Sequence, residues 1–423
     1  MNITDIYTIF KKSTGVSTDT RTIQKDNLFI SLSGENFNGN KFAKQALEKG
    51  ANYAIIDDEN YTQDNTILVA NTLETLQQLA KFHRKELNTP IIALTGSNGK
   101  TTTKELINCV LSKKYKTTAT KGNLNNHIGV PLTLLSMDSS TEIGIIEMGA
   151  NHFNEIELLA EITCPDYGYI TNFGKAHLEG FGSLEGVIKA KSELYQNLRE
   201  NNKIAFVNSD NNEQVTQSKD INSFSFSEKS NSNTTIQFSK TKPTVEVLYK
   251  NNYIKSNLIG NYNFTNIAAA ISIGEYFKIN TSDIINAIET YIPDNNRSQL
   301  INKNSNKIIL DAYNANPTSM QAALESFNEL ETTNKALFIG DMFELGKTSK
   351  VEHQSIVDYI ETLNIKQCHI LGEGFSQTIH SNKIKSYRDY KAFSNAYTES
   401  LANYTILIKG SRGMALERIL NLL

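Results

Sequence analysis

The chain has 423 residues, with 42 Lys plus Arg, 45 Asp plus Glu and three cysteines. That length exceeds one ordinary hydrophobic core and suggests about three domains. A formal net charge of −3 sets aside nucleic acid and anionic membrane as the main partner.

Cys109, Cys164 and Cys368 lie far apart, in no metal-ligand spacing. Their odd number and scarcity fit a reducing cytoplasm. The start, Met1-Asn2-Ile3-Thr4-Asp5, has no basic region leading into an apolar core, and no apolar run reaches membrane-spanning length. The expectation is a soluble, cytoplasmic protein with no membrane insertion.

The first segment, to about Asn88, reads as a small α/β unit. Leu28-Phe29-Ile30 and Tyr53-Ala54-Ile55-Ile56 are strand-like, with a helix over 42–49 between them and another over 73–87. In Asn88-Thr89-Pro90 the proline restricts the residue before it and marks a boundary. Asp19-Thr20-Arg21 and the glycine-bearing loop over 31–39, beginning at Ser31, read from residue types as ordinary turns.

Next comes Ile91-Ile92-Ala93-Leu94-Thr95, an apolar run of the kind that forms a buried parallel strand. It breaks into Gly96-Ser97-Asn98-Gly99-Lys100-Thr101-Thr102 and continues as a helix through Leu106 and Val110. Strand, glycine loop and helix start together suit a polyphosphate, because freed N–H groups and the positive helix end point at phosphate oxygens. Lys100 adds a point charge and the Thr101 hydroxyl can ligate Mg²⁺. The generic pattern wants glycine where Leu94 stands, so the shorter Gly-x-x-Gly-Lys-Thr survives, competing with a plain glycine-rich turn. The reading adopted is a nucleoside triphosphate.

Apolar strands then alternate with helices: Ile143-Gly144-Ile145-Ile146-Glu147, Tyr167-Gly168-Tyr169-Ile170-Thr171, an amphipathic stretch over 183–198, and a strand over 203–207. This implies a parallel sheet covered by helices, with ligands at the C-terminal strand ends. The Ser/Asn-rich stretch 211–255 reads as an antiparallel edge hairpin region with poorly ordered loop tips. After Pro293-Asp294-Asn295-Asn296-Arg297 a third α/β unit begins, with strands at 308–311, 336–340, 369–372 and 405–409, helices over 319–330 and 353–363, and 414–423 closing the chain. The division expected is 1–88, 89–296 and 297–423.

Glu147 ends a strand that should lie beside the Ile91 strand, where a carboxylate can reach a metal held on phosphate. Its alternative is a strand-end acid meeting solvent. His177 follows the Tyr167 strand and falls at the same edge; a satisfied loop histidine is the alternative. Lys191 has a solvated surface as its default. Gly122-Asn123-Leu124-Asn125-Asn126-His127-Ile128-Gly129 is an amide-dense loop suited to sugar, uracil or pyrophosphate, with a plain Asn/Gly turn as rival.

Several of these segments together resemble the ATP-dependent Mur ligases of peptidoglycan synthesis. They are 94–102, Ile146-Glu147-Met148-Gly149-Ala150-Asn151, 176–183, Gly260-Asn261-Tyr262-Asn263-Phe264-Thr265-Asn266 and Asp311-Ala312-Tyr313-Asn314-Ala315-Asn316-Pro317. Gly122-Asn123-Leu124-Asn125-Asn126 and Lys409-Gly410-Ser411-Arg412-Gly413 resemble the member that adds D-alanyl-D-alanine. The likeness runs from the Asp19 region to the C-terminus.

The resemblance implies an α/β protein of three domains. They are a small N-terminal α/β domain for the UDP-sugar, a central P-loop parallel-sheet ATPase domain, and a C-terminal Rossmann-like domain for the incoming amine. It implies ATP contacts from Thr95, Gly96, Asn98, Gly99, Lys100, Thr101 and Thr102, with adenine at Asn266. Asp311, Tyr313 and Asn314 would meet the nucleoside, and Arg297 the phosphates. Mg²⁺ would be held by Thr101 on ATP and by Glu147 and His177 nearer the acyl group, with Lys191 carbamoylated as a further metal ligand. Thr20, Arg21 and Ser31, together with Asn123, Asn125 and Asn126, would contact the UDP-sugar substrate. Lys409, Ser411 and Arg412 would receive the carboxylate of D-alanyl-D-alanine. The family's Asp-Ser-Arg is here Asp19-Thr20-Arg21, and its later Gly-His is Gly39-Asn40.

The implied activity joins D-alanyl-D-alanine to UDP-N-acetylmuramoyl-tripeptide through an acyl phosphate, with Lys100, Lys191, His177 and Glu147 as catalytic residues, in a monomer. The rivals are a sibling Mur ligase adding another amino acid, a folylpolyglutamate synthase-like ligase, and a nucleotide-gated binding protein without chemistry.

Overall fold

Fully buried strands need no alternation of polar and apolar residues, and the short runs of the first unit obey that rule. Leu28–Ile30 and Tyr53–Ile56 pair in parallel, flanked by Val16–Ser17 and Thr66–Leu68. The structure is a computed structural model and describes residues 1–229, 231–241 and 243–423.

The helix Thr72–Leu87 starts where the Asn71 side chain accepts the Glu74 N–H at 3.0 Å and stops at Asn88 in the left-handed region, φ 51°. It does not belong to the first unit alone. His83 Nε2 stands 2.9 Å from Met137 O, and Arg84 donates to Thr163 O and pairs with Asp166 at 2.7 Å. The last helix before Pro90 thus anchors the first unit on the second.

Among the described residues the central unit is a nine-stranded sheet in which Ile91–Thr95 lies between Ile143–Glu147 and Tyr167–Ile170, these three parallel. Their C-terminal ends share one edge, which places the Gly96 loop, Glu147 and the segment carrying His177 side by side. The hairpin expectation for 211–255 needs correction in its first half. A helix, Asn212–Gln217, precedes a strand, Asn222–Ser227, that runs parallel to Ile204–Asn208. The alternation of Ser223 to Ser227 with Phe224 and Phe226 carries that strand, a period-two signal masked by polar composition. Beyond it, Thr234–Thr241, Thr244–Tyr249 and Asn252–Ile259 form the antiparallel edge. Of the loop tips expected to be poorly ordered, Ser230 and Lys242 lie outside the described residues.

In the third unit Asn306–Asp311, Thr405–Lys409, Lys335–Gly340 and Gln367–Leu371 run parallel in that spatial order. Two edge strands were not anticipated: Gln299–Lys303, antiparallel to Asn306–Asp311, and Lys385–Tyr387. The chain closes in 3-10 turns, Arg412–Met414 and Leu416–Leu422.

His369 is sealed in this third core, its ring stacked 4.9 Å from Phe338. Burial pushes its imidazole down to about 4, against a smaller opposing pull from Glu399. An unfolded histidine titrates near 6.5, so between pH 6.5 and 4 the unfolded chain holds a proton that the native one lacks. Stability therefore falls as pH falls through that window, by roughly 3 kcal/mol from this group. Urea unfolding at pH 7 and pH 4.5 should show a loss of that order, and His369→Phe should remove most of it.

Candidate active site

Gly96 and Gly99 are required by both conformation and space. Gly96 has φ 144°, and a Cβ there would stand 2.0 Å from Thr171 Oγ1; Gly99 has φ 80°, with Asn266 Oδ1 2.5 Å from such a Cβ. The turn they make delivers Lys100 to the first position of the helix Lys100–Leu111, whose leading N–H groups have no intrahelical acceptor. Lys100 Nζ donates to Gly96 O at 2.7 Å. Burial holds the ammonium below the usual lysine range, partly offset by Glu147. Thr95 is not exposed to the cleft: its hydroxyl donates to Met148 O at 2.8 Å and ties the loop's strand to its neighbour.

Glu147 lies opposite Leu94 in the sheet register, as expected for a strand beside Ile91–Thr95. The carboxylate is 1% exposed, so it does not meet bulk solvent. Its Oε1 accepts from Asn125 Nδ2 at 2.8 Å and from the Thr101 hydroxyl at 3.3 Å, whereas its buried Oε2 has no hydrogen-bond partner among the described residues. An orphaned carboxylate oxygen beside a threonine hydroxyl fits a hard divalent cation. Among the described residues no group of three His, Cys, Asp or Glu side chains forms a metal cage. A cation here would draw its other ligands from phosphate and water, the usual habit of Mg²⁺.

His177 takes a left-handed backbone, φ 51°, and faces the same cleft, its Nδ1 2.5 Å from Glu344 Oε2 of the third unit. Glu344 is held below the usual carboxylate range, first by this close contact with His177.

Lys191 corrects the surface default. It is fully buried, while Lys189 two residues earlier is exposed. On the helix Leu184–Glu200 it falls in the stripe of Val187, Ala190, Leu194, Tyr195 and Leu198, a periodicity that the sequence already carried. Its Nζ donates to Ala150 O at 3.2 Å and lies 5.2 Å from the Phe181 ring centroid. Burial, and then repulsion from Lys100, pushes the amine well below its ordinary value.

The third unit completes the cleft. The Asp311 carboxylate pairs with Lys409 Nζ at 2.5 Å and accepts the Ser298 N–H at 3.2 Å. Sequence reasoning assigned these two residues to different ligands, yet they form one partly buried ion pair. Arg297 lies over the Tyr313 ring at 3.8 Å from its centroid. Asn314 caps its own turn by accepting the Ala315 N–H at 2.9 Å. Asn316, missed from sequence, donates to Asn98 Oδ1 at 2.7 Å; its Asn-Pro helix start was the available signal. Asn266 is engaged at both ends, accepting from the Thr103 hydroxyl at 3.0 Å and donating to Asn263 Oδ1 at 2.8 Å. The cavity enclosed is about 630 Å³, lined from both units by Lys100, Thr101, Thr102, Glu147, His177 and Arg297 among others.

The amide loop divides its work. Asn123 lines the cleft, Asn125 holds Glu147, and Asn126 caps the helix Gly129–Leu135 by accepting the Ile128 and Gly129 N–H groups. Other predicted residues lie elsewhere. Thr20 bonds Gln45, and Arg21 forks onto Asp19 in an exposed turn. Ser31 is buried, donating to Ile55 O, and Asn40 beside it is held by Asp57. None of these three predicted residues lines the cleft; Asn40 and Asp57 instead edge a separate open cavity of about 640 Å³ in the first unit. Ser411 is buried against Phe343 N–H, and Arg412 is exposed and paired with Glu417.

Comparison with known proteins places the whole chain. Three family models match in order: the Mur ligase family catalytic domain over 12–84, the Mur ligase middle domain over 94–274, and the Mur ligase glutamate ligase domain over 296–412. The chain belongs to the Mur ligase family. This Mur ligase is 36% identical to the UDP-N-acetylmuramoyl-tripeptide–D-alanyl-D-alanine ligase of Bacillus subtilis, over 96% of this chain and 92% of that protein. Among solved structures it is similar to the MurF ligase of Thermotoga maritima in complex with ADP, with a TM-score of 0.85, 25% identity and coverage of 98% and 97% of the two chains. MurF from Acinetobacter baumannii matches with a TM-score of 0.83, 28% identity and coverage of 96% and 92%.

Proposed function

We propose that this Mur ligase joins D-alanyl-D-alanine to UDP-N-acetylmuramoyl-tripeptide with conversion of ATP to ADP and phosphate, in peptidoglycan precursor synthesis. The observation that carries the reading is the shared cleft. A glycine-loop phosphate cradle, an orphaned Glu147 oxygen and His177 face a wall supplied by the third unit. Residues 1–88 receive the UDP-sugar, 89–296 the ATP, and 297–423 the dipeptide amine.

A carboxylate and an ammonium do not condense in water without activation. The terminal carboxylate of the tripeptide attacks the γ-phosphorus of ATP, the bond to the β-phosphate oxygen breaks, and ADP departs. The free amine of D-alanyl-D-alanine then attacks the acyl carbon, and inorganic phosphate leaves with the pair of electrons from the C–O bond. Bringing two anions together is the electrostatic obstacle. Lys100 and the helix N-terminus offset it from the protein side. Thr101 on the ATP side, and Glu147 and His177 nearer the acyl group, would hold Mg²⁺, which would supply charge neutralisation for the transferring group. Arg297 reaches the phosphates, and Asp311 with Tyr313 and Asn314 frames the nucleoside. Contact between the third and central units excludes water from the acyl phosphate.

Lys191 is placed to be carbamoylated. A buried amine whose ammonium form is disfavoured by burial and by Lys100 is a candidate nucleophile for CO₂. The free state of all three cysteines supports a cytoplasmic setting. No helix among the described residues is long and apolar enough to cross a membrane.

Mass spectrometry of reactions containing UDP-N-acetylmuramoyl-tripeptide, ATP, Mg²⁺ and D-alanyl-D-alanine tests the assignment. A product longer by the dipeptide, with one ADP released per product, is expected; ADP release without that product rejects it. In the same assay Lys191→Ala should lose about 10²-fold in rate and regain part of it with added short carboxylic acids. Full activity without rescue would leave Lys191 a packing residue.

A further inference from the structure

The helix Pro317–Asn328 of the third unit begins against the phosphate loop of the central one. Its N-cap residue, Asn316, is held by a reciprocal pair of bonds. The Asn316 Oδ1 accepts the Ser319 N–H at 2.8 Å, and the Ser319 hydroxyl accepts the Asn316 N–H at 3.1 Å. The cap commits the carboxamide oxygen, so the amino end is the one turned outward, and it donates to Asn98 Oδ1 at 2.7 Å. A carboxamide that receives this donor must present its oxygen to Asn316. The backbone of Asn98 is engaged as well. Its N–H donates to Asn172 Oδ1 at 3.0 Å, and its carbonyl accepts from the Thr171 hydroxyl at 2.6 Å and from Asn172 Nδ2 at 3.0 Å. What remains is Asn98 Nδ2, which has no hydrogen-bond partner among the described residues, on a residue that lines the cleft as Lys100 does. Gly174 leaves room for it, since a Cβ there would stand 3.2 Å from Asn98 Nδ2 and 3.1 Å from Thr318 Oγ1.

We infer that Asn316 is a positioning residue for the phosphate loop: it fixes the Asn98 carboxamide so that its amino end is offered to phosphate oxygens. The inference rests on the assignment of the Gly96 to Thr102 loop to ATP phosphates under the proposed function. A carboxamide is a donor at one end and an acceptor at the other, and the two ends are nearly the same size. Beside a polyphosphate the amino end attracts and the carbonyl end repels. Shape does not choose between them; the cap of a helix in another unit does. Donor and acceptor run in one direction, from Ser319 N–H through Asn316 and Asn98 to the cleft. Through this contact the third unit adds a phosphate donor to the loop without itself touching the phosphate there.

The test compares Asn316→Ser, Asn98→Ala and the double variant in the full chain. Serine keeps an N-cap oxygen for the Ser319 N–H but has no amino group to reach Asn98. Displacement of a fluorescent ADP analogue, without metal, gives the affinities of tripolyphosphate and of adenosine. Asn316→Ser should bind tripolyphosphate about 10-fold more weakly, with adenosine unchanged. Asn98→Ala should show the same loss, and adding Asn316→Ser to it should cost nothing further. Equal losses for both probes would overturn the inference and make Asn316 a docking tether; no loss for either would leave it a helix cap alone. A second measurement needs no change at Asn316. With asparagine labelled with nitrogen-15, the Asn98 amino signal, assigned by its absence in Asn98→Ala, should shift when tripolyphosphate is added. A signal that stays in place overturns the inference even if Asn316→Ser does not fold. Failure of tripolyphosphate to displace the analogue from the wild type removes the loop assignment and the inference with it. A wild type that binds both probes but makes no dipeptide-extended product defeats the ligase reading instead, and these titrations still judge Asn316.

Discussion

Lys100→Ala should lower ADP release in the presence of both substrates by about 10²–10³-fold, with most of the loss in kcat. The ammonium sits at the start of the helix Lys100–Leu111, and among the described residues its one hydrogen bond is to Gly96 O at 2.7 Å within the same loop. That bond is local and easily exchanged for phosphate oxygens. Glu147 and Glu344 favour the charged amine, whereas burial and Arg297 oppose it. Negative phosphate beside it would favour the charged form further, so the group is strongest where charge moves during transfer. Backbone N–H groups still hold nucleotide in the variant, so ADP affinity should fall far less than turnover. Single-turnover phosphoryl transfer measured alongside ADP binding separates the two. Equal losses in both would make Lys100 a simple anchor.

Glu147→Gln is the second large effect: about 10²-fold or more in metal-dependent turnover, with a higher Mg²⁺ requirement. The amide keeps an oxygen for Asn125 and Thr101 to donate to, at 2.8 and 3.3 Å. What it loses is the negative oxygen that lacks a partner among the described residues. The melting temperature of the metal-free variant should therefore stay within about 4 °C of the wild type. Calorimetric Mn²⁺ titration in the presence of ADP is the direct check. Metal affinity unchanged by the substitution would place the cation elsewhere.

Local chemistry accounts for what was legible in the chain. The Gly96 to Thr102 loop was readable because glycine, a positive helix end and an apolar strand act within a dozen residues. Glu147 was readable because a strand of period-free apolar residues must stop at the sheet edge. Lys191 was nearly readable: its place in the Val187, Ala190, Leu194 stripe contradicts a solvated lysine, although a lysine by type favours the surface. The strand Asn222–Ser227 was hidden by serine-rich composition despite its alternating phenylalanines. Thr20, Arg21 and Ser31 show the reverse case. Motif position drew attention to them, while their side chains are occupied within the first unit.

The sequence by itself determined three α/β units, a phosphate loop and the carboxylate that follows it in the neighbouring strand, since each depends on neighbours along the chain or on one sheet register. Only the tertiary structure decided that Asp311 and Lys409 neutralise each other, that Asn316 reaches Asn98, and that Glu344 grips His177. Those contacts join residues 98 to 218 positions apart, and no local propensity encodes them. They exist because burying the apolar faces of separate sheets brings distant loop ends into one cleft, where each polar group must find whatever partner the packing presents.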